Sequence, residues 1–367
     1  MMAPASLLQQ DRLARESIRV ILAGQADSGA YVASPTFSQY GFAWFRDGSF
    51  CAHAMAAAGQ VESAARFHRW ARGTVLAHAG LFALAADAFH AQRAPEAAFC
   101  PPTRFNLNGS IEDGHDSAWP NYQLDGYGTW LSVLEAFGDW RDDDTLSAVR
   151  LVADLLAAGW QHPCYDCWEE AGDEVHASTL LAVGGGLAAA ARMLSEARYE
   201  SEYMKVRHVL ERDFVVNGVI HKRRGDHRVD ASLAWAALPH GFYPVDHPLV
   251  RNTLDRITGD LGGPGRGIRR YLGDSYFGGG DWVLLAGLIG WQAAVLGDRQ
   301  RWQDLLDWVR GTADEHFQLP EQTLHAVQFP DFVATWEERW GAAANPLLWS
   351  HAMYLLMLKE GADRAWI

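Results

Sequence analysis

Apolar residues recur at helical spacing along almost the whole 367-residue chain, and strand-like alternation is scarce. The pattern predicts helices over 6–23, 48–59, 61–79, 123–138, 142–160, 176–195, 197–213, 229–238, 247–260, 279–296, 298–316 and 345–359. Their connections come in two kinds. Long segments rich in Gly, Pro and aromatics follow the odd-numbered helices, at 24–47, 80–122, 161–175, 214–228, 261–278 and 317–344. Short links follow the even ones: Gly59-Gln60, Asp139-Trp140-Arg141, Glu196, the Pro239 to Asp246 turn and Gly297. The two sets also differ in polarity. The even helices are apolar nearly all round, as in CAHAMAAAG, LLAVGGGLAAAARML and DWVLLAGLIGWQAAVLG, which is the character of buried helices. The odd ones carry a charged face, as in RYESEYMKVRHVLERDF and RQRWQDLLDWVRG. Six inner and six outer helices in alternation describe an all-α (α/α)6 barrel, with every long loop at one end. No linker or composition shift divides 1–367, so one barrel domain is expected.

Composition narrows the function. The formal charge of −14 argues against a nucleic-acid partner, which needs a basic surface, and against an acidic polymer as ligand. A neutral small molecule fits better. The N-terminus lacks a basic segment followed by an apolar stretch, the apolar runs near 180–191 and 282–291 are too short to span a bilayer, and the four cysteines do not form a disulfide framework. A cytoplasmic protein with no membrane partner is expected. Sixteen tryptophans are many; core is the default role for any one of them, but so many aromatics in an acidic chain also suit a sugar-binding cleft, since sugar rings stack on flat aromatic faces.

The long loops hold the candidate chemistry, because functional residues concentrate on loops held by a rigid scaffold. YGFAWFRDGSF supplies Tyr40, Trp44, Arg46 and Asp47. SAWPNYQLDGYG supplies Trp119 and Asp125, and GDHRVDAS supplies Asp226 and Asp230. GIRRYLGDSYFGGGDW supplies Arg270, Tyr276 and Trp282; the sixth loop carries QLPEQ and ATWEERW. The third loop, CYDCWEE, admits two readings. Cys164 and Cys167 are half of a zinc site, but His162 and His176 lack finger or ribbon spacing, so no metal is expected. Its carboxylates fit better. Glycoside hydrolysis needs a carboxylic acid to protonate the leaving oxygen and a second carboxylate as base or nucleophile. Trp168 beside Glu169, with Asp166 and Glu170 near, offers the apolar surroundings and negative neighbours that keep a carboxyl protonated. Glu321 is the partner from the sixth loop.

These loops resemble the glucoamylase family of glycoside hydrolases (glycoside hydrolase family 15), including its single-domain bacterial members, from Tyr40 to the WSHA at 349–352. The matching pieces are Tyr-x3-Trp-x-Arg-Asp at 40–47, a Trp six residues before the Asp of LDGYG, YDxWEE at 165–170, and Arg270-Tyr271, Tyr276 and Trp282. The resemblance implies an (α/α)6 barrel and no cofactor. It implies Glu169 as general acid and Glu321 as general base, Arg46 and Asp47 as a clamp on the terminal glucose, and Arg270 as a second hydroxyl ligand. Tyr40 and Trp44 become the floor and wall at the reacting carbon, Trp119 a cover over the acid, and Glu170 a holder of the leaving sugar. Configuration inverts in the family, and β-glucose leaves. A second WEE puts Glu337 and Glu338 forward as alternative bases. With no room for a starch-binding or β-sandwich domain, short α-1,6 substrates such as isomaltose are preferred over maltose-type ones and trehalose. A phosphorylase, a non-catalytic sugar-binding protein, and an isomerase using His115, His227 or His351 are the rival readings. Oligomeric state is left open.

Overall fold

The computed structural model describes residues 8, 10–93, 99–112 and 121–367. Helices are α1 (Arg12–Ala23), α2 (Phe45–Ala57), α3 (Val61–Ala77), α4 (Ala79–His90), α5 (Asp125–Phe137), α6 (Asp143–Gly159) and α7 (Ala177–Leu194). They continue with α8 (Ala197–Asp213), α9 (Pro248–Leu261), α10 (Val283–Leu296), α11 (Arg299–Gly311), α12 (Asp331–Trp340) and α13 (Leu348–Asp363). Each of α2, α5, α7, the 3-10 helix Ala231–Ala236, α10 and α13 packs on the next, and α13 returns to α2. That closed ring is the inner wall of an (α/α)6 barrel. The outer helices are α1, α3, α6, α8, α9 and α11.

Burial follows the polarity of the sequence. α10 is buried from Val283 to Ala294, whereas in α8 only Tyr199, Val206 and Leu210 are buried. Ala177–Leu194 is long and apolar enough to cross a membrane by composition, but it is a barrel wall whose residues are mostly buried inside the protein. The fourth inner position differs from the expected α-helix over 229–238. It is a six-residue 3-10 helix, started by Asp230 accepting from the Ser232 amide and followed by Pro239, which has no N–H with which to extend it. Two helices also lie in segments expected to be loops. In α4, Phe82, Ala85, Ala86 and Phe89 form a short buried stripe behind Gly80. α12 carries Val333, Trp336 and Trp340 at helical spacing, all half-buried, but it spans only ten residues between Pro330 and Gly341, too short a run to stand out in a segment rich in loop residues.

Inner walls approach closely where side chains vanish. A Cβ added to Gly186 of α7 would stand 2.6 Å from the Gly128 Cα of α5, and one on Gly128 would stand 2.3 Å from the Ala182 carbonyl oxygen. Backbone cannot step aside as a flexible side chain does. Gly186→Val is therefore expected to destabilise by about 3 kcal/mol, the upper part of the usual overpacking range. A thermal melt within a degree of the parent would disprove this close contact.

Side-chain caps sit mostly at the starts of outer helices, although outer α3 and α8 have none and the inner 3-10 helix is capped by Asp230. Outer helices α1, α6, α9 and α11 are capped by Asp11, Asp142, His247 and Asp298, whose side chains accept an amide N–H. Inner helices α2, α5, α7, α10 and α13 have no such side-chain cap among the described residues. All five begin at the end bearing the long connections. The partial positive charge of these helix starts thus converges on one mouth, while their first amides are met by backbone carbonyls, as in Ala177 to Lys222, Val283 to Glu321 and Leu348 to Ala33. Short strand pairs brace it: β1 (Ala43–Trp44) with β2 (Arg104–Phe105) ahead of α2, and β5 (Asp281–Trp282) with β6 (Gln322–Thr323) ahead of α10. A third pair, β3 (Val215–Val216) with β4 (Val219–Ile220), lies after α8.

Candidate functional site

A cavity of about 300 Å³ opens at this mouth, lined among others by Tyr40, Trp44, Arg46, Asp47, Glu169, Glu170, Arg270, Tyr276, Trp282 and Glu321. These are ten of the eleven residues proposed from sequence, drawn from four loops. The eleventh, Trp119, lies outside the described residues, as does His115.

Glu169 is presented by the loop that contains CYDCWEE. It sits in the left-handed backbone region with φ 67°, unusual for a residue with a side chain. The surrounding turn over-determines that conformation. Asp166 Oδ1 accepts from the amides of Trp168 at 2.9 Å and Glu170 at 3.0 Å, and the Glu169 amide donates to the Asp166 carbonyl at 2.9 Å. Asp166 in turn is held by Lys222 Nζ at 3.1 Å. Lys222 also donates to Asp230 at 2.6 Å, and Asp230 accepts the Trp168 indole N–H at 3.0 Å. A buried Asp–Lys–Asp group therefore fixes the loop from behind. Asp166 and Asp230 are structural here, which differs from the expectation that Asp166 would act as a negative neighbour of Glu169.

The Glu169 carboxyl is pushed up to about 7 chiefly by burial, against the opposing pull of the Arg46 guanidinium and hydrogen bonds from Trp44 and Gln123. The Trp44 indole N–H donates to Glu169 Oε1 at 3.0 Å. Neighbouring charges of Glu170 are taken up elsewhere: Arg270 Nη2 stands 3.3 Å away and the Tyr271 hydroxyl donates at 2.5 Å.

Glu321 precedes β6. Its amide donates to the Ala344 carbonyl at 2.9 Å, and its carbonyl accepts from Val283 at 3.1 Å, so its backbone is tied at both ends. The side chain is 2% exposed. Tyr40 donates to its Oε1 at 2.8 Å, and Tyr40 and Tyr276 hydroxyls are 3.0 Å apart. Burial pushes the Glu321 carboxyl up to about 7, with Tyr40 and Arg270 pulling the other way. Tyr40 and Trp44 meet edge to face, with ring centroids 5.8 Å apart, so one short segment touches both carboxyls. Glu337 and Glu338, the alternatives, are exposed on α12 and outside the cavity lining.

Arg46 and Asp47 occupy the first turn of α2. Arg46 Nη1 donates to Gln123 at 2.8 Å and Asp125 at 3.0 Å, and its Nε lies 3.3 Å from Asp47. Asp47 is raised to about 6 by burial, with Arg46 opposing. Arg270 is gripped by Asp274 through Nε at 2.7 Å and Nη2 at 2.5 Å. Five cavity-lining groups hold a buried polar atom with no hydrogen bond among the described residues: Arg46 Nε and Asp47 Oδ2, which face each other as an ion pair, and Glu321 Oε2, Trp282 Nε1 and Trp349 Nε1. Buried polar groups are ordinarily satisfied, so a ligand or water with donors and acceptors belongs there.

Several contributors escape a motif reading. Gln123 has no signature of its own. Asp274 is signalled by its i+4 spacing from Arg270, and Trp336, Arg339 and Trp340 line the cavity from α12, whose helical pattern runs for only ten residues. Cys164 and Cys167 are buried free thiols; Cys167 lines the cavity. Among the described residues no three His, Cys, Asp or Glu side chains group as a metal site. His351 is a buried brace, accepting from the Leu319 amide at 3.0 Å and bonded to Ser17 Oγ at 2.8 Å. His227 meets His221 edge to face, away from the cavity lining.

The model of "Glycosyl hydrolases family 15" matches residues 9–316. Isomaltose glucohydrolase of Kribbella flavida is 38% identical over 364 residues, covering 96% of this chain and 94% of that one. A solved structure described as "Glycosidase Wild Type" superimposes with a TM-score of 0.90 at 37% identity over 97% of both chains. A glycosidase variant in complex with glucose gives 0.90 at 36% over 98% of both. A bacterial glucoamylase complexed with acarbose shares the fold at TM-score 0.72 and 20% identity, over 97% of this chain and 56% of that one. With two buried carboxyls at the mouth of an (α/α)6 barrel and this extent of match, the chain belongs to glycosyl hydrolase family 15 and is a glycoside hydrolase acting on carbohydrate.

Proposed function

We propose that the protein is an exo-acting, inverting α-glucosidase that releases β-glucose from isomaltose and short α-1,6-linked gluco-oligosaccharides. The observation that carries this reading is the pair of buried carboxyls, Glu169 and Glu321, both held up near 7 in one cavity. The relative named for isomaltose, similar over nearly the whole of both chains, supports the linkage.

In this reading the terminal glucose sits deep in the cavity. Arg46 and Asp47 bind its hydroxyls on one side and Arg270 on the other. Glu169, protonated, donates its proton to the glycosidic oxygen as the C1–O bond breaks. Glu321, ionised, takes a proton from a water that attacks C1 from the opposite face. Tyr40 occupies Oε1 of Glu321, so Oε2, which has no protein partner, is the atom that receives this proton. Trp44 fixes Glu169 by its indole N–H, and the rings of Tyr40 and Trp44 line the cationic centre that forms at C1. The cavity is at the small end of ligand sites, which run about 300–1,000 Å³, and suits one or two sugar rings better than a polymer.

Incubation with isomaltose, maltose and trehalose in phosphate-free buffer, with the first product anomer followed by NMR, tests this. β-Glucose from isomaltose is the expected result. Initial α-glucose would remove the inverting mechanism, and a requirement for phosphate would turn the reading to a phosphorylase.

A further inference from the structure

α12 crosses the rim of the cavity without belonging to either layer of the barrel. None of its residues is buried, and it packs on the 3-10 turn Tyr276–Gly278. Trp336 anchors it: the indole N–H donates to the Ser275 carbonyl at 3.0 Å, and its ring meets Tyr276 at 5.0 Å between centroids. Tyr276 reaches Tyr40, and Tyr40 reaches Glu321, so α12 lies outward of the reacting centre along this series of contacts. One turn further along the helix, Arg339 and Trp340 also line the cavity. The Arg339 guanidinium lies 4.8 Å from the Trp340 ring centroid, and among the described residues it has no carboxylate partner.

An aromatic face beside a multi-donor cation, at the rim of a cavity whose floor already holds Arg46, Asp47 and Arg270, has the chemistry of a second sugar ring. A pyranose offers an apolar C–H face to an indole and hydroxyl acceptors to the five N–H groups of a guanidinium. We propose that α12 builds the leaving-group half of the site, with Trp340 and Arg339 holding the neutral sugar that hydrolysis releases. The assignment rests on the glucoside reading above and deepens it: substrate preference is then set on α12 as well as at the carboxyls.

The test compares isomaltose with α-glucosyl fluoride, which carries the same glucosyl group and no leaving sugar. Trp340→Ala and Arg339→Met are each expected to lower kcat/KM on isomaltose about tenfold, and on the fluoride less than about threefold; tenfold corresponds to about 1.4 kcal/mol. Trp340→Phe, which keeps an aromatic face, should recover most of the isomaltose rate. Equal losses on both substrates, or none on isomaltose, would overturn the assignment while leaving the glucoside reading intact. Release of glucose from neither substrate by the unmodified enzyme would overturn that reading and this one together.

Discussion

Replacing Glu169 by Gln is expected to lower kcat on isomaltose by about 10²–10⁴-fold, the usual contribution of a positioned general acid. Glucose affinity, read by calorimetry, should stay within about threefold, because Gln preserves the volume and still offers Trp44 an acceptor in place of Oε1. The loss should depend on the leaving group. α-Glucosyl fluoride expels fluoride, which needs little protonation, so the variant should retain far more of its rate there than on isomaltose. The pH profile provides a second readout. Glu169 acts in its protonated form, and its pKa is raised to about 7 by burial. It therefore stays protonated below neutrality, and activity on isomaltose falls as pH rises through about 7. In the Gln variant acting on the fluoride that alkaline limb should be absent. Near-native turnover of isomaltose by Glu169→Gln would remove the acid assignment.

Much of this site is legible in the sequence because barrel topology turns loop order into proximity. Once odd helices are read as outer and even as inner, every long connection falls at one mouth, and Tyr40, Glu169, Arg270 and Glu321 are brought together although they are far apart in the chain. What local pattern reports poorly is what the loops themselves do. α12 has an apolar stripe of Val333, Trp336 and Trp340, but over only ten residues between Pro330 and Gly341, and so its Trp336, Arg339 and Trp340 read as loop residues. Asp166 reads as a charge next to Glu169. Only the fold shows that its oxygens turn back to the Trp168 and Glu170 amides and to Lys222, a residue 56 positions away. Of the two causes expected to raise Glu169, burial acts, and the like charge is neutralised elsewhere.

Glu321→Ala is expected to lose turnover of isomaltose by a comparable factor, about 10²–10⁴, and to regain part of it by a different reaction. Removing the carboxyl leaves the attacking water without a proton acceptor, and leaves space. Azide needs no deprotonation, and entering that space it can attack C1 from the face the water used. The C1–N bond forms as the bond to the leaving group breaks, giving β-glucosyl azide. The product identifies the face of attack and hence the residue that guarded it. The same rescue in Glu337→Ala, with Glu321→Ala remaining active, would transfer the role to α12; its exposure there argues against this. A pH-dependent stability effect should accompany the kinetic one. The folded pKa of Glu321, raised to about 7, lies above the ordinary 4.5. Its protonated form favours the fold, so that contribution is complete below about 4.5 and is lost as pH rises through 7. Above 7 the ionised carboxyl destabilises by about 3 kcal/mol. Glu321→Gln, which keeps an acceptor for Tyr40, should therefore melt higher than the parent at pH 8 and match it near pH 4. An equal difference at both pH values would mean that burial does not raise the Glu321 carboxyl, and the acid side of the expected pH profile would lie at an ordinary carboxylate's pH.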